Sequence, residues 1–335
     1  MTDKQDIDGL REILGTKPKN VAASPPPRFV RGGALIKVEM VSPNPRNMNP
    51  GGKLFLPGVL PNFYAGMFVM AVTTWGGPRD SGVDKWNRCT PEQRRMVVQA
   101  ILERRTIPGA RELPSFMFEV TGASRSAFDQ IARGRVGYTF ASMGVRDNSH
   151  EDSDIVVPPH IYDDPKLLMG FKNAINISNA TYRALLLHGQ KSFQDARALL
   201  PMSMMHRFCM NVNYQALSAF MGQRLMFEEQ YDTVAVAYKM KQELGRHYAM
   251  LAAPLQGTCD AVGRCVYHNS ELFSGLFKGC ERYGPDEGHY TTFNESSADP
   301  ADIELWLGEK LPKPGAPIPW DEAFAKDRPY FEQIL

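Results

Sequence analysis

The chain has 335 residues and carries 38 Lys and Arg against 37 Asp and Glu, a formal net charge of +1. It therefore lacks the broad basic field that holds a nucleic-acid polymer by its phosphates. Hydrophobic residues at 43% and charged residues at 22% match an ordinary globular composition and argue against general disorder. The N-terminus MTDKQDIDGL is polar and acidic, unlike a signal peptide. No apolar run reaches the length of a spanning helix, the longest candidate being residues 63–75. The five cysteines form an odd set, unlike a secreted disulfide framework. The expectation is a cytoplasmic protein with neither a membrane nor a nucleic-acid polymer as partner.

Residues 1–28, which include Pro25, Pro26 and Pro27, read as a disordered lead-in, with a domain over 29–296 starting near Phe29. Ala34 to Val41 alternates as a strand does, and Tyr64 to Thr74 reads as a buried helix. In Thr90-Pro91-Glu92-Gln93 the Thr can cap a helix, the Pro fits its first turn and the Gln can reach back to the cap. Phe116, Phe118 and Val120 predict a strand that Gly122 breaks, and Ser124 then caps a short helix reaching about Gly134. Residues 135–150 are expected as loop, the acidic stretch 147–154 forming a solvated flap. Ile155 to Val157 is a short strand ended by Pro158 and Pro159, and Asp164-Pro165 opens a long helix to about Gly189. Gln194 to Leu200 is helical until Pro201, Arg207 to Asn213 alternates as a strand, and Tyr214 to Leu244 reads as one long, partly interrupted helix. The proline-rich stretch 297–335 is expected as an extension wrapped over a surface or a partner subunit.

Two clusters carry candidate chemistry. On a helix from Ser124, Gln130 and Arg133 lie three apart and share a face, which suits an anionic or amide-bearing ligand. The competing reading is a solvated Asp129–Arg133 pair worth about 0.3–0.5 kcal/mol. The second cluster holds Asp195, Arg197, Pro201, His206, Arg207, Asn213 and Arg224. Arg224 stands in the apolar stretch 219–226 and needs a carboxylate or an anionic ligand, Glu228 one turn on being the internal candidate. Separately, Cys259, Cys265, His268 and Cys280 offer a donor set that zinc accepts, although the irregular spacing fits plain thiols as well.

Taken in order, these segments resemble the flavin-dependent thymidylate synthases. Residues 122–135 are similar to the family's strand, Gly-x-Ser-Arg, Gln and Arg-His-Arg segment. Residues 195–201 are similar to its Asp-Ala-Arg-x-x-Leu-Pro helix, followed by the strand ending in Asn213 and the helix with Arg224 and the later Gln230. The collinear match covers roughly Phe116 to Glu243. It implies an α+β fold, a mostly antiparallel sheet flanked by long helices, and a homotetramer with sites between subunits.

By resemblance, Gln130, Arg133, Ser142, Arg146, Arg197 and Arg224 would bind a pyrimidine deoxynucleoside monophosphate. Arg133, Arg135, Asn213, Glu228 and Gln230 would meet FAD. No residue is assigned as a catalytic acid or base. The implied reaction is FAD-dependent reductive methylation of dUMP to dTMP at C5, with methylenetetrahydrofolate and NADPH as co-substrates. The motif departs from the family at Gly134 for His, Tyr138 for Ser and Phe140-Ala141 for the polar pair. Ser142 sits one place from the expected serine, Arg146 fits only with one inserted residue, and Asp129 and Glu228 stand where relatives often have His. Hydroxymethylation of dUMP, modification of dCMP, and a non-catalytic nucleotide-binding or assembly role are the alternatives.

Overall fold

The computed structural model describes residues 26–43, 62–77, 81–134, 136–145, 149–150, 152–188, 193–227, 229–263 and 298–335. Four antiparallel strands, β2 (Lys37–Pro43), β3 (Ser115–Ser124), β6 (Met205–Asn213) and β4 (Tyr138–Ser142), form a sheet in the order β2-β3-β6-β4. A separate parallel pair joins β1 (Phe29–Arg31) to β5 (Ile155–Val157). The longer helices are α1 (Phe63–Trp75), α2 (Pro91–Leu102), α3 (Arg125–Ile131), α4 (Pro165–His188), α5 (Tyr214–Arg224), α6 (Tyr231–His247), α7 (Pro300–Leu307) and α8 (Trp320–Glu332). The architecture is the expected α+β arrangement of antiparallel sheet and long helices.

β3 is central because its alternate residues are buried: Phe116, Phe118 and Val120 are fully inaccessible, each worth roughly 1.5–3 kcal/mol of apolar burial. They face α6, whose Val234, Ala235, Val236, Met240 and Leu244 belong to the same core. Gly122 bends β3 without ending it. Its φ is +81° and an added Cβ would lie 2.1 Å from the Leu35 carbonyl oxygen, so only glycine lets the two backbones approach. The pairing with β6 shifts register between Val120 and Ala123, and the strand resumes to Ser124.

α2 starts on the capping box read from Thr90 and Gln93, with both reciprocal bonds formed. The closing helix α8 is part of the core: Phe331 is fully buried and stacks on Tyr64 at 4.8 Å. Asp327 of the same helix accepts from the Tyr64 hydroxyl at 2.5 Å and from the Met250 backbone N–H at 2.6 Å. Buried Arg94 of α2 donates to the carbonyls of Trp86, Asn87, Phe331 and Gln333. The tail is thus tied to the body by a desolvated guanidinium that donates to carbonyls on both sides of the contact.

Several expectations are corrected. Within the region read as loop, residues 138–142 form β4, pairing with β6 from Tyr138↔Val212 to Ser142↔Phe208. Tyr214 to Leu244 is two helices, because α5 ends at Arg224 and α6 starts at Tyr231. The helix after Ser124 ends at Ile131, short of Gly134. Among the described residues no helix is long and apolar enough to cross a membrane.

Candidate functional site

The site is built where β3 passes into α3. Ser124 caps α3, its Oγ accepting from the Ala127 N–H at 3.1 Å. The same hydroxyl donates to Asp232 Oδ2 at 2.5 Å, and the Ser124 backbone N–H donates to that oxygen at 3.2 Å. Asp232 lies in the first turn of α6 and is fully buried. Burial raises its carboxyl above the ordinary carboxylate range, while the Ser124 hydroxyl and N–H, and the N–H groups at the start of α6, act in the opposite direction.

A second layer of polar contacts continues from Ser124. Its Oγ lies 2.9 Å from Ser126 Oγ. Gln230 donates from Nε2 to Ser126 Oγ at 2.7 Å and accepts at Oε1 from Gln130 Nε2 at 2.7 Å. Thr233 Oγ1 donates to Gln130 Oε1 at 3.4 Å. Arg224, at the end of α5, donates from Nη2 to the Gln130 carbonyl at 3.0 Å and pairs from Nη1 with Glu229 at 2.5 Å. The fold therefore joins α3, the end of α5 and the start of α6 through Gln130, Arg224 and Gln230.

The carboxylate Arg224 requires is Glu229, and Glu228 lies outside the described residues. Likewise Asp129 pairs with Arg125, four residues before it, at 3.1 Å rather than with Arg133. Arg133 is exposed beyond α3, Arg197 is exposed in a 3-10 turn over Arg197–Leu199, and Ser142 is exposed at the end of β4. Among the described residues neither Arg133 nor Arg197 has an ion-pair partner, and none of the three hydrogen-bonds to Gln130 or Gln230. Asn213 caps α5, its Oδ1 accepting from the Ala216 N–H at 2.8 Å.

Arg135, Arg146, Cys265, His268 and Cys280 lie outside the described residues. Cys259 is buried with its sulfur 3.8 Å from that of Met226. No cluster of three His, Cys, Asp or Glu side chains able to hold a metal occurs among the described residues.

The departures in the signature loop are physically linked. The Tyr138 ring stacks on Phe140 with centroids 5.9 Å apart and planes 6° apart, and its hydroxyl donates to the Ala216 carbonyl at 2.7 Å. A Cβ added at Gly134 would lie 2.8 Å from that ring. Burial pushes the Tyr138 phenol up to about 12, so it stays protonated as a donor. Beneath the loop, His206 of β6 is 1% exposed, 3.5 Å from an Arg125 nitrogen and against the Phe128 ring at 4.9 Å. Burial and the Arg125 charge push its pKa down to about 4, so the imidazole is neutral.

Sequence reasoning singled out Gln130, Arg224 and Gln230 but missed Ser126, Glu229, Asp232 and Thr233. Asp232 reads in sequence as an ordinary acidic residue in a helix's first turn. Its partner Ser124 is 108 residues away, and no local pattern announces that pairing.

In architecture, the sheet and helices define the class of an α+β fold shared with the UMP/dUMP methylase PolB from Streptomyces cacaoi. The superposition has a TM-score of 0.51 at 16% identity and covers 68% of this chain and 96% of that one. The sequence model described as "Thymidylate synthase complementing protein" matches residues 67–248, more than half of the chain. The chain belongs to that family, as a divergent member of the flavin-dependent thymidylate synthase superfamily.

Two curated relatives, each named flavin-dependent thymidylate synthase, mark the degree of divergence. That of Mycolicibacterium gilvum is 32% identical over 127 residues, which are 34% of this chain and 50% of the relative. That of Pyrococcus abyssi is 28% identical over 161 residues, 46% of this chain and 66% of the relative. The chain thus spans about half to two thirds of the length of these curated relatives.

Proposed function

We propose that residues 29–296 bind FAD and a pyrimidine deoxynucleoside monophosphate and transfer a one-carbon unit to C5 of the base, converting dUMP to dTMP. Methylenetetrahydrofolate is the carbon donor and NADPH the reductant. The observation that carries this reading is the meeting of Gln130, Arg224 and Gln230. Gln130 lies 94 residues before Arg224 and 100 before Gln230, all three within the family-matched segment, and each stands at a position the family resemblance assigns to ligand. PolB, the UMP/dUMP methylase that shares the fold, was crystallised with 5-Br dUMP, which supports a uridine nucleotide as the substrate class.

The residues present suit these ligands. The exposed guanidinium groups of Arg133 and Arg197, which have no ion-pair partner among the described residues, offer planar forks for phosphate. Arg224 is 8% exposed and held in place by Glu229 and the Gln130 carbonyl. A guanidinium has five N–H donors, so others remain for a base carbonyl. Gln130 offers an amide edge beside it, and Asn213 keeps its Nδ2 free of the capping bond. Bound FAD supplies the hydride that completes the methyl group. Arg197 is set apart from the Gln130 network, and we assign it to a site completed across a homotetramer interface.

One observation favours a second product. Stacked Tyr138 and Phe140 replace polar loop groups, and a weakened hydride step would leave the one-carbon adduct to be captured by water as a hydroxymethyl nucleotide. The test is to purify the protein, record its flavin absorbance, and incubate it with FAD, NADPH, methylenetetrahydrofolate and either dUMP or dCMP before weighing the nucleotides by mass spectrometry. Bound flavin and a methyl product from dUMP are expected. A folded protein that takes up no FAD at micromolar concentration refutes the enzyme reading, and a hydroxymethyl product selects the second.

A further inference from the structure

We propose that Asp232 fixes the orientation of the Gln130 side-chain amide through Ser124, Ser126 and Gln230, and that this relay sets which pyrimidine the protein accepts. The proposal rests on the reading above that Gln130 lines the nucleotide site; it assigns roles to Asp232, Ser124 and Ser126, which that reading does not use, and a positioning role to Gln230.

The relay has a single polarity. Asp232 Oδ2 accepts a backbone N–H from Ser124, a group that can only donate, together with the Ser124 hydroxyl. With its proton spent on Asp232 and one lone pair taken by the Ala127 N–H, Ser124 Oγ can only accept at its contact with Ser126. Ser126 therefore donates to Ser124 and must accept from its other neighbour. That neighbour is Gln230, which has to present its NH2 group and turn its carbonyl toward Gln130. Gln130 in turn must present its NH2 group to Gln230 and its carbonyl to the Thr233 hydroxyl. Five side chains are thus ordered by one fully buried carboxylate, whose desolvation would otherwise be a pure cost.

An unanchored amide can rotate by half a turn and exchange its donor and acceptor, so it reads either base edge. Uracil presents a carbonyl at position 4 beside an N3–H, and cytosine presents an amine beside a bare N3, which are opposite orders. An amide locked by the relay complements one order and opposes the other. Asp232, Ser124, Ser126 and Gln230 are positioning residues in this scheme, and Gln130 is the residue that reads the base.

The test measures dUMP and dCMP affinity by calorimetric titration of the full-length protein as wild type, Ser126→Ala, Asp232→Asn and Gln130→Ala, with circular dichroism to confirm folding. The wild type is expected to prefer dUMP. Ser126→Ala breaks the relay in its half-buried middle and should shrink that preference by about fivefold, the equivalent of one net hydrogen bond. Asp232→Asn should act in the same direction, and if that buried replacement fails to fold, Ser126→Ala alone decides. An unchanged dUMP-to-dCMP ratio in folded Ser126→Ala, with Gln130→Ala altering it, overturns the relay and leaves the nucleotide site standing. Unchanged dUMP binding in Gln130→Ala removes the underlying reading and the relay with it. Equal wild-type affinity for the two nucleotides also overturns the proposal.

Discussion

Replacing Glu229 by Leu removes the only carboxylate paired with Arg224 among the described residues and tests whether the end of α5 depends on that ion pair. The two side chains are 10% and 14% exposed with nitrogen and oxygen 2.5 Å apart. Water therefore screens the pair far less than an exposed one. Removing one partner of a buried pair costs about 3–5 kcal/mol because the other charge is stranded. The residual exposure and the bond from Arg224 to the Gln130 carbonyl place this case at the low end, about 3 kcal/mol. Glu229→Gln keeps an oxygen acceptor and should lose roughly half as much. The assay is urea unfolding of the wild type, Glu229→Leu, Arg224→Leu and the double variant, analysed as a thermodynamic cycle. The double variant should recover stability relative to Glu229→Leu, because no charge remains buried. A coupling below about 0.5 kcal/mol, the size found for solvated surface pairs, would refute the argument that this arginine is held by a desolvated partner.

Three further outcomes are expected. Buried His206 has its folded pKa near 4, below the unfolded value of about 6.5. The fold prefers the neutral ring, so this contribution is complete above pH 6.5 and is lost as pH falls toward 4, at up to about 1.4 kcal/mol per unit. His206→Gln should flatten that part of the stability curve, and identical slopes in the two proteins would contradict the assignment. Arg197→Ala should leave the urea midpoint unchanged, since the side chain is exposed and has no ion-pair partner among the described residues, yet weaken dUMP binding by about 1.5–3 kcal/mol. Overlapping titration curves would place the ligand elsewhere. Gly122→Ala should destabilise the protein by more than about 1 kcal/mol, given its φ of +81° and the clash with the Leu35 carbonyl. A neutral result would show that the crossing of the two backbones yields easily.

Signals confined to a few neighbouring residues were legible in the sequence. The capping box at Thr90, the cap at Ser124 and the alternation of Phe116, Phe118 and Val120 each depend on local chemistry. β4 was not legible, because Tyr138 to Ser142 is an edge segment whose only pairing among the described residues is with β6, some 70 residues later. The break between α5 and α6 was hidden for a different reason: Leu225, Met226 and Phe227 are all buried, and a run buried on every side carries no period to interrupt. The site divides along the same line. Gln130 and Arg224 stand out from their own surroundings, whereas Asp232 acquires its meaning only from Ser124 on another element.

The contact between Gly134 and the Tyr138 ring imposes an order on any attempt to rebuild the family's signature loop. Histidine at position 134 has no room while the tyrosine ring lies 2.8 Å from where its first side-chain carbon would sit. Serine at 138 makes that room, but it also removes the stack on Phe140 and the bond to the Ala216 carbonyl. The path back to an Arg-His-Arg loop therefore runs through position 138 first and passes through a less stable intermediate. Made in the opposite order, the first change forces the Tyr138 ring off its stack before the new side chain fits, so the two positions are sterically coupled.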